Sequence, residues 1–459
     1  MNGEIELKLE VDLKSVARIK RHPLLKHVAS RSTPQLTIYY DTASGALGKH
    51  GYSLRVRSAR GGFVQTVKPI IESAGLFARD EWESPVASIK PDLGKLAGLP
   101  LEPLSRSGKL RKLSPVVRSE MERVSWRLDR NGSEIQLDLD SGLIEAGGRS
   151  QGLCELELEL LSGEAEDLVR VARHIAERVP VRVGVMTKAE RGFAIAAGTL
   201  GKANKAGPVA VNKGMTIAEA FTVIAGACIK HYRLNEPLVM ARGDGSALHQ
   251  SRVAMRRLRS AFTLFRPALR DAHYDRLREE LRWFTSQLGD ARNLDVYLER
   301  ELADEQRRAL MRDREHAYRR VIESMESQRL RALMLDLVGW VAVGDWLSGP
   351  QALRPIARFA EKRLDKLWVT IAGPAADIAV MDEFDRHELR IQVKKMRYAV
   401  EFLRGVFPGA TKNQKRFAAQ VEALQEALGK LNDLATARTL AGADLPHEDD
   451  REAEAEHLA

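Results

Sequence analysis

Residues 4–10 read EIELKLE, which puts Glu4, Glu6, Lys8 and Glu10 at every second position. On an extended strand these four side chains share one face, with same-face neighbours roughly 6.6 Å apart. The pattern recurs: Glu155, Glu157 and Glu159 in CELELELL, Asp138 and Asp140 in QLDLD, Arg55 and Arg57 in SLRVRS, Lys68 in QTVKP, and Arg79, Glu81 and Glu83 in ARDEWES. One such strand alone reads as a solvated outer face. Several strands that are nearly pure acid, or carry paired arginines, read otherwise, because rows of carboxylates repel one another and a solvated face mixes in Ser, Thr and Gln. An acidic wall opposite a basic wall suits a ligand with both charges: a divalent cation on the carboxylates and phosphate oxygens on Arg and Lys. The charged faces then line a polar tunnel. The apolar alternates Ile5, Leu7, Leu9, Leu156 and Leu158 point outward beneath covering helices.

A second constellation lies further on. Counting from His249 in HQSRVAMRRLRSAFTLFR and from His387 in HELRIQVKKMRYAVEFLR, a base falls at +3 (Arg252, Arg390), +7 (Arg256, Lys394), +8 (Arg257, Lys395) and +10 (Arg259, Arg397). Positions 0, 3, 7 and 10 of a helix fit in an arc of about 80° along roughly 15 Å. An ordinary surface face interleaves acids at i,i+4, and HQSRVAMRRLR has none. Two facing copies would form a channel that neutralises a linear polyanion. Aromatic residues make up 6% of the chain, and few stand among these bases, so base stacking on RNA is disfavoured. No groove-reading helix, zinc finger or basic zipper is present, which disfavours double-stranded DNA.

Behind the first set stand strands, and behind the second stand helices. Strand patterns cover EIELKLEV, TIYYDT, YSLRVRS, FVQTVKP, ARDEWESP, RVSWRLDR, SEIQLDLD and LCELELELL, which suggests an antiparallel barrel. Residues 12–20 and 164–178 read as helices packed on it. Residues 194–213 are small, Gly-rich and nearly patternless, and Thr216 with Glu219 then forms a capping box that opens a helical half. The divisions expected are a domain at 1–203, a linker at 204–214, a helical domain at 215–441 and an acidic tail at 442–459. LGDARNLD (288–295) resembles LGKLNDLA (428–435), which extends the helical repeat. The fold class is multidomain α+β: an antiparallel eight-stranded β tunnel barrel with flanking helices, then an all-α bundle with an internal two-fold repeat.

The chain has 459 residues and a net charge of +9, which favours a polyanionic partner. Its two cysteines make no disulfide framework and fit a reducing cytoplasm. No signal peptide or transmembrane run is expected. A GxxxxGK[ST] loop is absent, which excludes a P-loop NTPase.

Glu4-x-Glu6-x-Lys8, with YYDT (39–42), LRVR (54–57), TVK (66–68), the acid run 155–159 and KAERGF (188–193), resembles the CYTH superfamily of triphosphate tunnel metalloenzymes. The two His-x-x-Arg-led helices resemble the CHAD domain, a helical module associated with inorganic polyphosphate. The combined order resembles the bacterial CYTH–CHAD inorganic triphosphatases. The resemblance implies hydrolysis of inorganic triphosphate with Mg2+ or Mn2+. Glu4, Glu6, Asp138 and two of Glu155, Glu157 and Glu159 would form the metal-side acids, and Lys8 would contact phosphate or orient water. Arg55, Arg57, Lys68, Arg79 and Lys188 would bind phosphate oxygens, with Arg118 and Arg123 as further basic candidates. The ten bases of the two helices would bind polyphosphate. Thr187 stands where the family commonly has Ser. Adenylate cyclase, thiamine triphosphatase and a non-catalytic polyphosphate scaffold are the competing readings.

Overall fold

The structure is a computed structural model that describes residues 4–59, 62–70, 75–300, 302–376, 378, 381–410, 416–417 and 419–424. The acidic tail and the second half of the LGKLNDLA comparison lie outside the described residues. The chain forms two compact units, Met1–Lys202 with Glu326–Val343, and Ala203–Met325 with Gly344–Ala459.

The first unit is built on β1 (Glu4–Val11), β2 (Ser30–Asp41), β3 (Tyr52–Ala59), β4 (Gly62–Pro69), β5 (Leu76–Arg79), β6 (Trp82–Val86), β7 (Ser114–Arg130), β8 (Ser133–Ala146), β9 (Arg149–Ser162) and β10 (Val181–Val183). They pair antiparallel in the order β10-β1-β9-β8-β7-β2-β3-β4-β6, and β5 pairs β1. Only Asp80 and Glu81 separate β5 from β6, so the path returns to its first strand. Among the described residues ten strands therefore stand where eight are expected; the surplus is the three-residue β10 and the break between β5 and β6. The alternation of EIELKLEV marks β1 residue for residue.

Helices α1 (Val16–Lys20), α2 (Ala46–Lys49), α3 (Glu102–Arg106), α4 (Ala165–Ala176) and α5 (Lys188–Ala197) accompany the sheet. Alternation turns Leu7, Leu9, Leu156 and Leu158 outward, where all four are fully buried. Helix α4 packs on β1 and β9 with Leu168, Val171, Ala172 and Ile175 on its buried side. Helix α5 occupies residues that carry no helix expectation, and it runs four residues into the expected patternless stretch. It opens on a capping box, Thr187 with Glu190, and stops at Gly198, whose φ of 63° closes the helix in the left-handed region.

The helical half comprises α6 (Ile217–Arg242), α7 (Gly245–Leu269), α8 (Tyr274–Gln287), α9 (Gly289–Leu298), α10 (Asp304–Glu326), α11 (Gln328–Val343), α12 (Ile356–Ala376) and α13 (Glu383–Leu403). Thr216 caps α6 with Glu219, as expected. Helix α6 packs on α7, α12 on α13, and α13 on α7. Phe221, Phe262, Phe265 and Trp346 form an aromatic core with ring centroids 5.2–5.6 Å apart around Phe221. Helix α11 is an exception. It falls within the expected helical domain but packs on α4 and β10 of the first unit. Gly339 allows the approach, since a Cβ there would stand 2.8 Å from a Val169 methyl.

Candidate active site

Strand register assembles the acidic wall. β1 against β9 sets Glu6 opposite Glu159, Lys8 opposite Glu157 and Glu10 opposite Glu155. β9 against β8 sets Glu157 opposite Asp138 and Glu155 opposite Asp140, and β8 against β7 sets Asp140 opposite Arg123. Directly opposed side chains meet within about 5.5 Å, so seven carboxylates crowd one surface and three cations answer them. Arg123 donates to Asp138 at 2.6 Å, to both Asp140 oxygens at 2.7 and 2.6 Å, and to Glu157 at 2.8 Å. Lys188, the first residue of α5, lies 2.8 Å from Asp140 and 3.1 Å from Glu157 and pairs with Glu155. Lys8 pairs with Glu157 and lies 3.6 Å from Glu6.

These contacts set the protonation states. Burial opposes the charged forms of Lys8 and Lys188, but the surrounding carboxylates outweigh it and raise both pKa values. Burial likewise opposes ionisation of Glu157 and Asp140, and the adjacent cations overcome it: Lys188, Lys8 and Arg123 hold Glu157 well below the usual carboxylate range, and Lys188 and Arg123 lower Asp140. The carboxylates around Lys8 thus favour its ammonium form, which donates to Glu157.

The basic wall lies on β3 and β4. Arg55 lies 3.2 Å and Lys68 2.6 Å from the carboxylate of Glu81, and Arg57 lies 3.4 Å from Glu83. Burial, then the neighbouring Arg55, lowers the pKa of Arg57. Both walls face one cavity of about 220 Å3, lined by Glu6, Lys8, Arg55, Arg57, Lys68, Arg123, Asp138, Glu157, Glu159 and Lys188. Ten candidates thus meet in one hollow.

The remaining candidates lie elsewhere. Arg118 is half exposed and pairs with Glu120 and Glu145, so it is a surface residue of β7 and not a tunnel ligand. Glu155 is buried against Lys188 and does not line the cavity, which leaves Glu157 and Glu159 as the two cavity-facing acids of the triple run. Glu10 holds α5 in place through Arg191 at 2.6 Å. The side chains of Glu4 and Arg79 lie outside the described residues; their backbones pair with each other across β1 and β5. Sequence reasoning did not assign Asp140, Glu81 or Glu83 a site role, although each stands on a charged face already singled out.

In the helical unit, Arg256, Arg259, Lys394 and Lys395 line a small cavity between α7 and α13 with Tyr398. Arg252 and Arg390 are buried. Arg257 is a correction: it is fully buried, 2.6 Å from Glu401, with its guanidinium 5.5 Å from the Phe402 ring centroid. It ties α7 to α13 and is unavailable to phosphate. Arg397 stacks over Tyr398 at 4.3 Å. His249 lines a second, larger cavity, and His387, Arg390 and Arg397 line neither.

Strands with opposed charged rows around one hollow, followed by a helical unit with two base-bearing helices, define a tunnel domain of the CYTH type joined to a CHAD-type domain. The CYTH domain model matches residues 2–193 and the CHAD domain model matches residues 223–442. The chain carries a CYTH domain over the first stretch and a CHAD domain over the second. It is 28% identical over 200 residues to the inorganic triphosphatase of Haemophilus influenzae, a match covering 42% of this chain and 55% of that protein. The chain thus spans about half the length of the curated relative it matches. Among solved structures, the CHAD domain from the plant Ricinus communis is similar, with a TM-score of 0.47 and 30% identity over 52% of this chain and 82% of that one. HpAC1 from Hippeastrum, reported to have a dominant triphosphatase activity, has a TM-score of 0.33 and 18% identity over 42% of this chain and 95% of its own.

Proposed function

We propose that the first unit hydrolyses inorganic triphosphate with the help of Mg2+ or Mn2+, and that the helical unit binds polyphosphate. The observation that carries this reading is the meeting of an acidic and a basic wall on one cavity of about 220 Å3. Taking β5 and β6 as one bent strand, we describe the tunnel as an eight-stranded ring. The α6–α7 and α12–α13 pairs are taken as the two halves of the helical repeat. Among the described residues no helix is long and apolar enough to cross a membrane, and both cysteines are free and buried; we place the protein in the cytoplasm.

The residues fit a hard divalent cation. Oxygens of Asp140, Glu155 and Glu157 lie within 4.8 Å of one another, but Lys188 already sits among those three. The better donors face the cavity: Glu6, Asp138, Glu157 and Glu159. One oxygen of Asp138, Oδ1, is buried with no hydrogen-bond partner, as expected of a group that coordinates a cation or its water. When bound, such an ion neutralises phosphate charge and lowers the pKa of a coordinated water. Arg55, Arg57 and Lys68 hold the phosphate oxygens, taking them in exchange for Glu81 and Glu83. Lys8 adds a fixed positive charge between the walls. Arg123 and Lys188 keep the acidic rows from repelling one another. Phosphoryl transfer needs little beyond this positioning and charge neutralisation.

On the helical unit, Arg256, Arg259, Lys394 and Lys395 make the phosphate contacts, with His249, Arg252, His387, Arg390 and Arg397 extending the two stripes. The test is a phosphate-release panel on the full-length chain with tripolyphosphate, ATP and thiamine triphosphate, with and without Mg2+ or Mn2+. Release that is fastest from tripolyphosphate and needs the metal supports the reading. Preference for either organic triphosphate, or for cyclisation of ATP, replaces it. Polyphosphate binding with no release from any substrate leaves a binding scaffold.

A further inference from the structure

The base-bearing face of α7 runs into a cavity of about 560 Å3 that the phosphate contacts above leave unexplained. Its walls bring Lys205, His249, Arg292 and Arg314 together with Asp244, Asp295 and Glu299. Two of these charges are spent on each other: Arg314 donates to one Asp295 oxygen at 2.7 Å, while the Tyr318 hydroxyl donates to the other at 2.8 Å. Glu299 is mostly exposed and only 3.8 Å from Arg292, a loose pairing. Lys205 and Arg292 are the cations this leaves for a ligand, with the His249 imidazole beside them as a hydrogen-bonding group. The first turn of α7, starting at Gly245, borders the same space, where the N-cap Asp244 carboxylate accepts from the Ala247 N–H at 2.9 Å. Burial, then Arg292, Arg256 and Arg252, depress the His249 pKa, so the imidazole is uncharged at neutral pH.

We infer that this cavity holds the terminal phosphate group of a condensed phosphate chain whose interior lies along α7; the inference rests on the polyphosphate reading of the helical unit. His249 belongs to both the stripe and the cavity. Arg252 and Arg256 follow one and two turns further along α7, and α7 itself begins at Gly245, so the track of bases has an end at this point. An interior phosphate of such a chain carries one ionised oxygen. A terminal group can carry nearly two charges at neutral pH, because its second ionisation lies near pH 6, as for phosphate monoesters. Two cations, Lys205 and Arg292, converging on one space with the His249 imidazole match the two charges of the terminal group better than the single charge of an interior one.

The test measures binding of a linear polyphosphate to the full-length protein without divalent cation, against the same polyphosphate with both ends blocked as alkyl phosphoramidates. The wild type is expected to bind the free-ended chain about tenfold more tightly, the scale of one good charge-assisted contact. K205A/R292A should lose that preference and keep its affinity for the blocked chain. Ser246→Glu, which adds a carboxylate at the α7 N-terminus, should do the same by a separate route. Arg256→Ala should weaken both chains alike. Equal binding of the two chains by the wild type overturns the subsite, as does an end preference that survives in a folded K205A/R292A. If the wild type binds neither chain, the polyphosphate reading itself has failed.

Discussion

Arg123 is central to the acidic wall: one guanidinium serves Asp138, Asp140 and Glu157, the last two shared with Lys188. Arg123→Met should therefore destabilise the first unit by about 3–5 kcal/mol, the scale for removing one partner of a buried ion pair. Arg118→Ala, five residues earlier, should change stability by less than about 0.5 kcal/mol; thermal unfolding of the two variants checks the contrast. The sequence already held this distinction. Five is an odd separation, so strand alternation puts Arg118 and Arg123 on opposite faces. Arg257 was legible in the same way: at +8 it falls at about 80° on the helical wheel, outside the arc of the stripe. The pairing of Asp140 and Glu155 with Lys188 was not legible, because it depends on where α5 lies. A pH prediction also belongs here. Burial, then Arg257, pushes His231 down from 6.5 to about 4, where it bonds the Asn204 carbonyl at 2.9 Å. The unfolded chain then binds more protons than the folded one between those values. The stability contribution of neutral His231 is full above pH 6.5 and is lost as pH falls towards 4. Unfolding midpoints from pH 7.5 to 4 should show this decline in the helical unit, and His231→Gln should flatten it.

At the level of elements, alternation located the strands because one face is charged and the other is covered by apolar packing, so a shift of one residue would bury a row of ions. Short or locally signalled elements escaped. β10 has three residues, too few to show a period. Helix α5 announced itself only by Thr187 and Glu190, the same signature that marks α6 at Thr216 and Glu219. Gly192 lets α5 press against β7: a Cβ there would stand 2.3 Å from a Val117 methyl. Gly192→Ala should cost about 1–3 kcal/mol through overpacking and lower phosphate release by shifting Lys188. Val117→Ala in the same chain should restore part of both, measured as unfolding midpoint and initial rate. A loss in G192A that the second substitution leaves untouched would mean that Gly192 serves something other than this contact. Helix α11 is legible as a helix, but no periodicity states which unit it joins.

Across the whole molecule, the chain leaves the first unit at Lys202, returns to it for Glu326–Val343 and leaves again. Composition could show two kinds of structure in sequence, and the family matches at 2–193 and 223–442 follow that division. Threading a helix back is a tertiary event that composition does not record. The net charge of +9 fits a polyanion-handling protein, but the walls of the tunnel make the sharper claim, that opposed charges there serve catalysis. The most direct test is phosphate release from tripolyphosphate by the full chain and by a Glu6→Gln/Asp138→Asn variant, each with and without Mg2+ or Mn2+. The account predicts metal-dependent release that falls at least about 100-fold in the variant, equivalent to about 2.7 kcal/mol of barrier, with the fold retained by circular dichroism. Release at the wild-type rate from the folded variant, or release that proceeds equally well without metal, would contradict it.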